Sequence, residues 1–217
     1  MKYGESFFDI LYLLLAIGTG LYLLCKGRGK LHRLMGAAAL VLGCGDAFHL
    51  VPRVLNYFVD KDFTAALGIG KLVTSVTMTV FYILLYYILL KNYDIQNHKA
   101  VTAVVWGLSV IRTALCLFPQ NQWLTDSSPF LWGVLRNIPF VILGALMVYL
   151  FFKHRKEDTA FRNLWLYVTL SFGFYIPVVV GAEVVPMLGM LMLPKTICYL
   201  LMLFAFIKKN KTVQNEK

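Results

Sequence analysis

Charge is scarce in this chain. Of 217 residues, 15% are Asp, Glu, Lys or Arg, while 59% are hydrophobic. Soluble domains normally carry about a quarter charged residues, and a single core of this size cannot hide so much apolar surface, so a soluble globular fold is excluded. Metal-ligating residues are equally sparse. Cys25, Cys44, Cys116 and Cys198 show no CxxC spacing, which gives neither a disulfide framework nor a metal cluster. Three of the four histidines, His32, His98 and His154, fall in the connections between apolar stretches, leaving only His49 within one and excluding a multi-histidine zinc site. Low-complexity tracts and internal repeats are missing, which argues against an inverted-repeat transporter. The segment ahead of the first apolar run has one lysine and no small-residue cleavage site, so that run is read as a helix rather than a signal peptide. No metal and no cofactor are expected.

What remains is a series of seven apolar stretches at about 6–25, 34–58, 65–90, 100–118, 130–152, 163–182 and 187–207. Each is close to the roughly 20 residues that cross a bilayer as a helix. The expected fold is an all-α integral membrane protein, a bundle of seven transmembrane helices forming one domain over 1–217, with a short basic tail at 208–217. The longest connection is "PQNQWLTDSSP" at 119–129, so no soluble domain is expected.

The basic residues outside the apolar stretches are unevenly shared. Fourteen fall on one side: Lys26, Arg28, Lys30, Arg33, Lys91, Lys99, Lys153, Arg155, Lys156, Arg162, Lys208, Lys209, Lys211 and Lys217. Only Lys2 and Lys61 fall on the other. The positive-inside rule then predicts a multi-pass protein of the cell membrane with its N-terminus outside and its C-terminus in the cytoplasm. The formal charge of +10 is thereby assigned to topology, and a nucleic-acid partner is not expected.

The informative residues are those inside the apolar stretches. The second stretch contains "LVLGCGDAFHLVPRVL", with Asp46, His49 and Arg53 on one face. Counting thirteen residues from Arg33, Lys99 and Lys208 reaches Asp46, Arg112 and Lys195, which places these three at one depth, about 20 Å from the inner end of a layer about 30 Å thick. Arg136 and His49 stand above that level, and Arg53, Lys71 and Glu183 lie nearer the rim. Pro52, Pro177 and Pro194 are expected to interrupt three helices and free the carbonyls of Phe48, Gly173 and Met190. Gly43 and Gly45 are expected to admit a neighbouring helix.

Five embedded basic residues, Arg53, Lys71, Arg112, Arg136 and Lys195, face two embedded acids, Asp46 and Glu183, in this count. Charged residues at such depth face a bundle interior, pair with one another or meet water, and the excess of base predicts an anionic guest. The expectation is an outward-facing cationic pocket walled by aromatics such as Tyr82 and Trp132, holding a small anionic ligand or a lipid headgroup. Arg112 and Arg136 would grip the acid, Asp46 and His49 would tune or gate, and Lys195 would neutralise. Such a protein is a sensor or a carrier, with membrane lipids as its surroundings.

Two alternatives use the same residues. In the first, Asp46 or His49 acts as general base of an intramembrane lipid hydrolase. "GDAFHLVP" resembles the helix of the lysoplasmalogenase family in which an embedded aspartate also precedes a proline; that family's later serine–aspartate pair is absent, so its activity is not carried over. In the second, Lys195 carries a retinal-type chromophore. "FYIPVVVGAE" at 174–183 is similar to the sixth helix of the microbial rhodopsins, which also place a lysine in helix seven, but "GKLVTSVTMTVFYILLYY" offers no acidic counterion and Asp46 would have to serve.

Overall fold

The computed structural model describes residues 2–27, 29–125 and 129–215, with side chains through Thr212. Arg28 and Lys217 of the basic set, and 126–128 of the longest connection, lie outside the described residues. Seven α-helices follow one another: α1 (Lys2–Lys26), α2 (Lys30–Phe58), α3 (Thr64–Asn92), α4 (Lys99–Leu117), α5 (Phe130–Lys153), α6 (Leu164–Gly181) and α7 (Met192–Asn215). Short 3-10 turns at Pro119–Asn121 and Pro186–Leu191 precede α5 and α7, and no strand occurs among the described residues. All seven helical segments are long and apolar enough to cross a membrane.

Consecutive helices pack side by side, α1 closes the ring against α7, and α3 leans inward to meet α5 as well. The surface is inverted relative to a soluble protein. Leu14, Val110, Ile111, Leu131 and Phe204 point outward, whereas Asp9, Ser109, Arg112, Asn137, Ser171 and Lys195 are buried with an aromatic core built on Phe81, Tyr82, Phe140 and Phe172. The expected close approach on α2 is present. A Cβ on Gly43 would lie 3.0 Å from the side chains of Ala16 and Ile17 on α1, and one on Gly45 would collide with Thr77 on α3. Thr74 of α3 donates to the Gly45 carbonyl at 3.1 Å, tying the two helices at the same point.

Pro52 and Pro177 lie inside α2 and α6 as expected, and α5 contains a further interior proline, Pro139. Pro194 differs from its expectation. It is the third residue of α7, because the 3-10 turn delays the helix to Met192. A proline is tolerated in the first turn of a helix, where its missing N–H interrupts no bond within α7 itself. At its other end α7 runs on through the polar tail to Asn215.

The Phe48 carbonyl, released by Pro52, faces Gly70 of α3. A Cβ on Gly70 would collide with it and come within 2.7 Å of the His49 Cα. Because backbone cannot yield as a side chain can, Gly70→Ala is expected to destabilise the bundle by about 1–3 kcal/mol, read as a lower unfolding midpoint in detergent; an unchanged midpoint would mean that α2 and α3 separate freely here.

At the opposite, basic end, Asp158 in the α5–α6 turn joins three segments. Its Oδ2 accepts from Lys209 Nζ of α7 at 2.7 Å and from Asn92 Nδ2 of α3 at 2.9 Å, and its Oδ1 accepts the Ala160 N–H at 2.7 Å. Burial pushes this carboxyl up, but the bonds from Lys209, Asn92 and Ala160 outweigh it and hold the group below its ordinary value of 3.8. A depressed folded-state value means that the carboxylate's contribution to stability is complete above pH 3.8 and is lost as pH falls through the lower, folded-state value. The wild type is therefore expected to lose its stability advantage over Asp158→Asn in strong acid and to keep it through neutral pH, in unfolding curves recorded across that range.

Candidate functional site

Between α3, α4, α5, α6 and α7, in the half of the bundle that holds the N-terminus, lies a chamber of about 330 Å³. Its charged lining comes from four helices: Lys71 of α3, Arg112 of α4, Arg136 of α5 and Lys195 of α7, with His49 of α2 also on the wall. Among the described residues the one carboxylate lining it is Glu183, which stands just past α6 and is exposed, as is Lys71. None of these charges has an oppositely charged partner within 4.0 Å among the described residues.

Arg112 is the most enclosed of them, 2% exposed. Its guanidinium carbon sits 3.3 Å from the centroid of the Phe140 ring, a stacking contact that offers a cation some compensation without consuming its donors. Nε and Nη1 have no hydrogen-bond partner among the described residues. Ser109, one turn earlier on the same face, donates to the Val105 carbonyl at 2.7 Å. Lys195 is similarly placed, with Nζ 4.3 Å from the centre of the Tyr175 ring and 5.6 Å from that of Tyr199. The Tyr175 hydroxyl donates to Asn137 Oδ1 at 2.7 Å, which holds that ring against α5.

Arg136 is held differently. Its Nη1 donates to Asn121 Oδ1 at 2.7 Å, and its guanidinium lies 4.3 Å from the Trp123 ring centre. Asn121 is fully buried, and its Nδ2 reaches the carbonyls of Leu115 and Phe118 at 2.7 and 2.9 Å. The Trp123 indole N–H donates to the Cys116 carbonyl at 2.8 Å. The connection after α4 thus folds back as one wall of the chamber, satisfying the last carbonyls of that helix as it does so. Gly68 of α3 makes room for it, since any Cβ there would collide with the Trp123 carbonyl.

A second, smaller cavity of about 80 Å³ adjoins the first and shares His49, Thr74, Met78, Met192 and Lys195 with it. Here the acids collect: Glu5 and Asp9 of α1 and Asp46 of α2, with Arg53. Asp46 accepts the Tyr12 hydroxyl at 2.5 Å. Glu5 pairs with Arg53 and accepts the Tyr57 hydroxyl at 2.9 Å. Asp9 is 4% exposed, and its Oδ2 has no hydrogen-bond partner among the described residues.

Of the residues expected at the pocket, the large chamber brings together Arg112, Arg136, Lys195, His49, Lys71 and Glu183. Asp46 and Arg53 line the smaller cavity instead, Arg53 already committed to Glu5. Tyr82 lies in the aromatic core, edge-on to Phe140 at 5.1 Å, and does not line the chamber. Trp132 stacks on Phe118 with centroids 5.4 Å apart, also off the chamber; the indole on its wall belongs to Trp123. Glu5, Asp9, Asn121 and Trp123 were not identified from the sequence. With Glu5 and Asp9 included, five bases meet four acids among the described residues of the two cavities, so their charge nearly cancels while its distribution does not.

Asn121 links Arg136, the folded-back connection and the end of α4. Replacing it by Ala strands the Leu115 carbonyl and a guanidinium N–H in a buried place, while the Phe118 and Cys116 carbonyls keep the residue-121 amide and the Trp123 indole, and about 1–3 kcal/mol of destabilisation is expected. The measurement is the unfolding midpoint in detergent against that of Arg136→Ala, which removes only one of these contacts and should cost less.

Comparison of the chain with models of known protein families, with curated proteins and with solved structures finds no match in any of the three.

Proposed function

We propose that this is a multi-pass protein of the cell membrane, N-terminus outside and C-terminus cytoplasmic, that binds a small anion or an anionic headgroup in its cationic chamber and works as a sensor or carrier. The observation that carries this reading is Arg112: a guanidinium 2% exposed, on the wall of a cavity, with Nε and Nη1 buried and without a hydrogen-bond partner among the described residues. Arginine stays charged at any physiological pH, and its fork matches carboxylate and phosphate. Leaving such donors unmet costs several kcal/mol in an apolar bundle, and an anion between Arg112, Lys195, Arg136 and Lys71 removes that cost. The orientation rests on the distribution of Lys and Arg between the two ends of the bundle.

The hydrolase alternative has weaker support. Of its two proposed bases, Asp46 is bonded to Tyr12 and faces the smaller cavity, away from the cationic wall that would hold a lipid phosphate, and His49 alone lines the chamber, where four basic side chains surround it. A retinal-type adduct on Lys195 would have to share its space with Arg112, Arg136 and Lys71, a poor setting for a long apolar polyene.

Binding is testable through stability, because a ligand that binds only the folded state raises the midpoint with concentration. In a neutral detergent at constant ionic strength, millimolar inorganic phosphate or acetate is expected to stabilise the wild type. Arg112→Ala should weaken that effect by about 10- to 100-fold in apparent affinity, the equivalent of one or two charged hydrogen bonds. A wild type indifferent to both anions, or an Arg112→Ala variant that responds equally, sinks the reading.

A further inference from the structure

The outer wall of the bundle carries an apolar groove of about 230 Å³ between α5 and α6. Ile138 and Ile142 on one helix and Ile176 and Val180 on the other form its sides, each 40–52% exposed on the bundle's outward surface. Three further lining residues, Asn137, Tyr175 and Val179, also line the cationic chamber. The groove and the chamber are therefore two sides of one partition. Its polar part is the single hydrogen bond from the Tyr175 hydroxyl to Asn137 Oδ1. The ring of that same tyrosine lies under the Lys195 ammonium. Both helices carry an interior proline beside this place, Pro139 and Pro177, each of which removes a backbone hydrogen bond that would otherwise stiffen the helix.

An apolar slot that opens outward and is divided from buried cations by one hydrogen-bonded side-chain pair, Tyr175 and Asn137, matches one kind of molecule once that pair parts. We infer that the ligand of the chamber is an amphiphile: its anionic group, a phosphate or carboxylate, lies among Arg112, Lys195 and Arg136, and its hydrocarbon chain lies in the α5–α6 groove. This rests on the proposed anion site and adds the ligand's second half. It also gives the route of entry, sideways between α5 and α6 past Tyr175, rather than from the exposed end at Lys71 and Glu183. Charge complementarity sets the direction of the molecule, because the groove is wholly apolar and the chamber holds four basic side chains against Glu183.

The test compares inorganic phosphate, ethyl phosphate and dodecyl phosphate as ligands of the detergent-purified wild type, of Val180→Trp and Ile142→Trp, which fill the groove from its outward side, and of Val110→Trp, an outward position on α4 away from it. Dodecyl phosphate is expected to bind the wild type and Val110→Trp at least about 100-fold tighter than ethyl phosphate, the effect of burying about three or four methylenes. In the two groove variants that advantage should shrink by about tenfold or more while ethyl phosphate binds as before. An equal chain-length advantage in all four proteins overturns the inference and leaves a soluble anion as ligand of an intact site. Failure of every phosphate to bind the wild type overturns the anion site itself. Native mass spectrometry on the same samples adds one more outcome: a wild-type dimer that Val180→Trp dissociates would give the groove to a second copy of the chain, and would also overturn the inference.

Discussion

A guanidinium that cannot lose its charge, enclosed among apolar helices, is the constraint on which this structure turns. Arg112 meets it with the face of Phe140 at 3.3 Å and with a place on the wall of a cavity, while its buried Nε and Nη1 have no hydrogen-bond partner among the described residues. The aromatic core is arranged to allow this. Phe140 is packed edge-on by Tyr82 and Tyr175 and tilted against Phe172, so the ring that carries the cation is immobilised from three sides. A ring free to rotate would surrender the cation–π contact, which depends on presenting its face.

Around that point the protein separates charge instead of pairing it. Bases and acids described in the two cavities almost balance in number, yet three of the four acids, from α1 and α2, line one cavity with Arg53, while Lys71, Arg112 and Arg136 line the other, with Glu183 at its exposed end. Pairing across the divide would have given an ordinary set of interhelical salt bridges and a closed interior. Tyr12 prevents part of it by occupying Asp46, and Arg53 prevents another part by occupying Glu5. Lys195 stands at the boundary, lining both cavities, with aromatic rings rather than a carboxylate as its near neighbours. Segregation leaves a local excess of positive potential in a place of low dielectric, where an arriving anion interacts far more strongly than it would in water.

Much of the site was legible in the chain because depth in a helix is simple arithmetic. Thirteen-residue intervals from the basic ends put Asp46, Arg112 and Lys195 at one level; Arg112 and Lys195 line one chamber, while Asp46 lines the smaller cavity beside it. Azimuth is harder. Tyr82 and Trp132 lie at suitable heights but face the core and Phe118, since the rotation of a helix about its axis depends on neighbours that hydropathy does not specify. Glu5 and Asp9 escaped notice because they sit near the start of the first helix, where acids look like an ordinary solvated end; only the closure of α1 against α2 and α7 carries them inward. Trp123 and Asn121 belong to a connection, and nothing in a loop's composition reveals that it folds back under α5.

The sequence by itself determined the seven helices, their order and the heights of the embedded charges, because apolar length and residue spacing act locally along each helix. Which charges share a cavity, which are already paired and which are left without a charged partner was decided only by the tertiary structure. Those properties depend on how far each helix is turned toward its neighbours, and that rotation is set by contacts such as Gly45 against Thr77 and Gly70 against Phe48, between residues far apart in the chain.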